Sequence, residues 1–125
     1  MTPARRLTLA MLPLALACGE RPPRVEFDPG PVPAEHVAAE QLFNANCAGC
    51  HGRLASGTEV GPPLVHVYYE PSHHADIAFD RAVAFGVRPH HWSYGPMPPV
   101  AGLSKDEVAR ITAYVRWLQR QGGIY

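Results

Sequence analysis

The sequence predicts a small all-α domain of three to four helices joined by long loops. Apolar residues recur at three- and four-residue intervals, and no stretch alternates as a strand except the short, ambiguous run 64–69. Ser104-Lys105-Asp106-Glu107 is a capping box that opens a helix near the C-terminus. Fourteen prolines and eleven glycines in 125 residues leave little regular structure between the helices.

The first 17 residues read as an export signal. Arg5 and Arg6 form a basic start, and the apolar run from Leu7 to Ala17, interrupted by Pro13, is too short to span a bilayer. Cleavage before Cys18 has two meanings. Leu14-Ala15-Leu16-Ala17-Cys18 is close to a bacterial lipobox, although Leu16 and Ala15 stand where a small and a larger aliphatic residue are usual. The same residues satisfy the small-x-small rule for ordinary secretory cleavage. Lipidation of Cys18 is the preferred expectation, because a lone thiol at an exported N-terminus otherwise has no purpose. The chain would then lie on the periplasmic side of a bacterial membrane, lipid-anchored or otherwise soluble.

Residues 18–33 read as a linker or tether, with Pro22, Pro23, Pro29, Pro31 and Pro33 among charges. In polyproline II geometry, at about 3.1 Å per residue, such a segment reaches roughly 45 Å. The folded domain is expected over 34–125. Losing the signal changes a formally neutral chain to nine basic against eleven acidic side chains. No basic patch points to nucleic acid, and no run of like charge points to an interaction tail.

The first helix is expected from 34 to 46, directly after Pro33, with Val37, Ala38, Leu42 and Phe43 on its apolar side. Residues 52–61 are loop-like. A second helix is expected from about 74 to 87, with Ser72 as N-cap, Ile77, Ala78, Val83 and Phe85 as apolar positions, and Gly86 and Pro89 closing it. The last helix follows the capping box. Val108, Ile111, Val115 and Leu118 form one stripe, Tyr114 and Trp117 widen it, and Gly122-Gly123 ends it.

Between the first helix and the first loop stands Cys47-Ala48-Gly49-Cys50-His51. C-x-x-C-H is the attachment signature of a c-type haem: two thiols form thioethers to the vinyl groups and the histidine ligates the iron. Two other chemistries use part of this pattern. A dithiol redox pair needs a βαβ setting, which is missing, and a zinc site would need partners such as His73 and His74. A single covalent haem c, held by Cys47, Cys50 and His51, is therefore expected. It would add the apolar mass that so short a chain lacks.

The second axial position falls to Met97 or to another histidine. Met97 lies in Gly95-Pro96-Met97-Pro98-Pro99 and is the one methionine left once the signal is removed. The flanking prolines prevent helix and suit a loop that presents one side chain. His90 and His91 are the rivals. His66, His73, His74, His90 and His91 are otherwise expected to be solvent-facing or to lie around the haem. Paired histidines can bind copper or zinc, but no metal is assigned to them.

A helix feeding C-x-x-C-H, a loop-rich middle and a capped C-terminal helix with aromatic residues resemble a class I c-type cytochrome over 34–121. The resemblance implies the small cytochrome c fold wrapped around one covalent haem. It implies that Phe43 and Tyr114 meet where first and last helices cross, around Ala39 and Ala113. It implies that Pro62 or Pro63, in Gly61-Pro62-Pro63-Leu64, offers a carbonyl to His51, that Leu64 covers the haem, and that Arg88 and Trp92 reach propionates. The function implied is single-electron transfer between redox partner proteins, not catalysis on a small-molecule substrate. Alternatives are an open-iron gas sensor or peroxidase-like protein, and a tethered subunit of a larger complex.

Overall fold

A computed structural model describes residues 24–125. The signal segment, Cys18 and the first part of the Pro-rich stretch lie outside the described residues. Four α-helices follow in chain order: α1 (Ala34–Asn46), α2 (Ala48–His51), α3 (Asp76–Phe85) and α4 (Lys105–Gln121). A 3-10 turn, Val67–Tyr69, sits in the long connection between α2 and α3. The described residues form no strand, only one isolated antiparallel bridge between Val87 and Met97. The ambiguous run 64–69 is loop and turn, with the His66 ring accepting the Tyr68 amide at 3.2 Å.

α1 begins where Pro33 sets the backbone, with Glu35 in its first turn, where the helix dipole favours negative charge. Its buried face is Ala39 and Phe43, one turn apart. Val37 and Ala38, expected on that face, are exposed instead. α4 crosses here. The Phe43 and Tyr114 rings meet edge to face at 5.8 Å, and Trp117 stacks on Tyr114 at 5.9 Å. Ala39 lies in this crossing, but Ala113 is on the solvent face of α4. The buried stripe of α4 runs through Tyr114 and Val115, and Ala113, on the other side of Tyr114, falls outside it.

α4 carries its capping box as expected: the Glu107 amide donates to Ser104 Oγ at 3.3 Å, and the Ser104 amide donates to Glu107 Oε2 at 2.8 Å. Val108, Ile111, Tyr114, Val115, Trp117 and Leu118 are all buried. So are Arg116 and Gln119, which the apolar stripe does not announce. Arg116 Nε donates to Asp76 at 2.8 Å, its Nη1 donates to the Tyr69 carbonyl at 2.6 Å, and its Nη2 donates to the His74 carbonyl. Gln119 Nε2 donates to the Leu64 and Tyr69 carbonyls. The polar edge of α4 thereby fixes the course of residues 64–76.

α3 starts at Asp76 rather than 74, because His74 is engaged with the preceding loop. Ser72 does not cap it; its hydroxyl donates to Glu70 at 2.7 Å. Ile77 and Phe85, expected to be core, are 57% and 80% exposed. Gly86 closes the helix as expected.

The Pro-rich stretch is also revised where it is described. Val25, Phe27 and Val32 pack against the core, and the Val25 amide donates to the Ser56 carbonyl at 3.1 Å. Residues 24–33 thus lie on the domain instead of holding it at a distance. Three apolar side chains among the prolines suffice to dock them.

Candidate haem site

The last residue of α1 leads into α2, a single turn formed by the C-x-x-C-H residues themselves. The Cys50 and His51 amides both donate to the Cys47 carbonyl, closing the turn on itself. Cys47 is half-buried and Cys50 exposed, and neither is in a disulfide. Burial and then the neighbouring Cys50 push the Cys47 thiol up to about 11. From below, Thr58 Oγ1 donates to the Cys50 carbonyl at 2.6 Å. Gly61 approaches so closely that a Cβ there would stand 2.6 Å from the same oxygen.

His51 Nδ1–H donates to the Pro62 carbonyl at 2.9 Å. A carbonyl accepts only, so the proton belongs on Nδ1 and Nε2 keeps its lone pair. Burial lowers the His51 pKa, outweighing the raising effect of the Pro62 bond, and the neutral ligating form is favoured. Pro63 is buried and Leu64 lies on the cavity wall.

His51 opens on a cavity of about 290 Å³ whose wall is nearly all apolar. Every part of the fold contributes to it. Phe43 and Cys47 come from the end of α1, Pro62 and Leu64 from the loop, and Ala78, Phe79, Ala82 and Val83 from α3. Val108, Ile111, Thr112 and Val115 come from α4, and Trp92, Tyr94 and Met97 from the segment after α3. That segment is held at both ends. Val87 and Met97 exchange two backbone hydrogen bonds of 2.9 Å, and the Val100 amide donates to the Val83 carbonyl at 2.9 Å.

The structure brings Cys47, His51, Pro62, Leu64, Trp92 and Met97 to one cavity. It does not bring Arg88, which is exposed and not part of the wall; Arg81 of α3 is the guanidinium residue there. Arg81 falls on the helix, where its pattern reads as an ordinary solvent-facing charge. His74, His90 and His91 also reach the rim. The part of the α4 stripe made by Val108, Ile111 and Val115 faces the cavity, a role that apolar spacing cannot distinguish from ordinary core. A thioether, an imidazole with a free lone pair and the Cys47 thiol line this apolar cavity, with Cys50 exposed on the same turn, and this set suits a covalently attached haem.

Comparison with known proteins agrees. The family model for cytochrome c matches residues 37–119. The chain is 35% identical over 81 residues to cytochrome c-L of Methylorubrum extorquens, a match covering 63% of this chain and 38% of that protein. It is 30% identical over 88 residues to cytochrome c-554(547) of Halothiobacillus neapolitanus, covering 66% of this chain and 96% of the other. The chain therefore spans well under half the length of the first of these relatives and nearly all of the second. No solved structure matches. The helical fold, the cysteine pair for thioether attachment of haem c and the family match together establish that the chain belongs to the cytochrome c family.

Proposed function

We propose that this protein is a single-electron carrier of the periplasm, with His51 and Met97 as the axial ligands of its iron. Haem c, when bound, supplies a one-electron couple. The rest is the work of the chain. The Pro62 carbonyl holds the His51 ring by Nδ1 and leaves Nε2 for the metal. The Val87–Met97 bridge positions the thioether, a ligand that raises the potential relative to a second imidazole. The apolar wall excludes water, and Trp92 and Arg81 stand where a carboxylate could receive hydrogen bonds. The observation that carries the reading is that His51 and Met97 line the same apolar cavity.

Absorption spectra of the haem-loaded protein test this. The expected result is a low-spin c-type spectrum with the weak methionine–iron charge-transfer band, lost in Met97→Ala and unchanged in wild type by carbon monoxide. His74, His90 and His91 on the rim motivate a second reading, an open iron that binds gas or reduces peroxide. A high-spin, carbon monoxide-sensitive spectrum would replace the carrier by that reading.

Redox partner proteins are expected to be its substrates in either direction. An anchored Cys18 would keep it at the membrane surface. No helix among the described residues is long and apolar enough to cross a membrane.

A further inference from the structure

Four of the six histidines other than His51 are gathered in one place. His73 and His74 leave a tight turn at Glu70, whose carbonyl accepts both their amides. His90 and His91 come from the loop clamped by the Val87–Met97 bridge, sixteen or so residues later in the chain. One ring nitrogen from each of His73, His74 and His91 lies within 4.8 Å of the others.

Two of these rings are oriented as metal ligands are. His74 Nδ1–H donates to the Tyr68 carbonyl at 2.5 Å, and His90 Nδ1–H donates to the Arg88 carbonyl at 3.0 Å. Each carbonyl fixes the tautomer and leaves Nε2 with a lone pair. Those two Nε2 atoms then face each other at 3.4 Å. Two lone pairs repel unless a proton or a cation lies between them. The separation also matches a metal edge: nitrogens bound to one tetrahedral zinc at about 2.0–2.1 Å stand about 3.3–3.4 Å apart.

His91 adds an independent sign. Its Nε2 is buried and has no hydrogen-bond partner, an arrangement that calls for a ligand. The Arg116 guanidinium lies behind the His74 carbonyl, and Asp76 meets it at 2.8 Å.

We propose that His73, His74 and His91, with His90 closing the fourth position, bind one zinc(II) ion at the rim of the haem cavity. Imidazole ligands suit zinc, copper and nickel and reject magnesium and calcium, which demand oxygen; the 3.4 Å edge of a tetrahedron favours zinc among the former. The ion would pin the loop after α3 to the turn before it, and so close the side of the cavity. The inference rests on the proposed ligation by Met97, which leaves His90 and His91 free of the iron.

Zinc titration of the full-length haem-loaded protein tests it, with bound metal counted after dialysis and zinc-edge absorption fine structure to identify the ligands. One equivalent is expected, held by three or four nitrogens at about 2.0 Å, with the haem spectrum unchanged. His73→Ala, at an exposed position, and His91→Ala should each weaken binding at least tenfold, whereas His36→Ala should leave it unchanged. The proposal fails if no equivalent is retained, since a shared proton then occupies the 3.4 Å gap. It also fails if the two cluster variants bind as tightly as wild type, or if zinc perturbs the haem bands by competing at the iron. Should a cluster variant not fold, the nitrogen count around zinc in the wild type decides alone.

Discussion

At the scale of single residues, the chemistry of the site is more legible than its geometry. Cys47, Cys50 and His51 announce haem by spacing alone, and Met97 by its setting among prolines. The sequence does not choose between Pro62 and Pro63, because the backbone path decides which carbonyl faces His51; the structure gives Pro62. Nor does it show why Gly86 must be glycine. Its φ of 73° and ψ of −178° lie in a region open essentially to glycine alone, and a Cβ there would overlap the Met97 carbonyl oxygen. Gly86→Ala is expected to cost about 1–3 kcal/mol from backbone strain and to part the Val87–Met97 bridge. Denaturant titration of the haem-loaded protein would measure the first effect. Weakening of the methionine–iron band would report the second.

At the scale of elements, local signals succeed and long-range ones do not. α1 keeps its expected bounds because Pro33 and the turn at Cys47 are written in the chain around it. α3 starts two residues later than expected because His74 is held by Tyr68 and Arg116, partners that no local pattern names. The capping box of α4 is a local device with a measurable weight. Ser104→Ala should cost about 1 kcal/mol in urea denaturation near neutral pH. The Ser104 amide and hydroxyl hold the Glu107 carboxyl below its ordinary range. A depressed folded pKa means that this stabilisation is complete above the unfolded carboxylate value and is lost as pH falls through the folded one. The gap between wild type and Ser104→Ala should therefore be widest near neutrality and narrow on acidification; a gap that widens in acid would refute the assignment.

At the scale of the whole molecule, the described domain is larger than composition suggests. Proline content marks residues 24–33 as extended; they join no helix or strand, Gly30 turns the chain at a φ of 70°, and the segment is not detached. Phe27 is half-buried against the core. Phe27→Ala should destabilise by about 2 kcal/mol, near half the value for a fully buried phenylalanine, and should expose this segment to limited proteolysis. Docking also shortens any tether. If Cys18 is anchored, the six residues from 18 to 23 reach about 20 Å at full extension, less than half the span of a free linker. A partner would then have to approach close to the membrane surface.

The mounting of Met97 has a kinetic meaning as well. Two hydrogen bonds to Val87, a third between Val100 and Val83, and prolines on either side hold the backbone that carries the sulfur whether or not the sulfur is bonded. On the proposed ligation, this backbone would keep the Met97 sulfur in place through a change of charge on a bound iron, which would keep the reorganisation barrier to electron transfer small. A thioether momentarily released would also recombine from where it stands, before a molecule from solution could take its place.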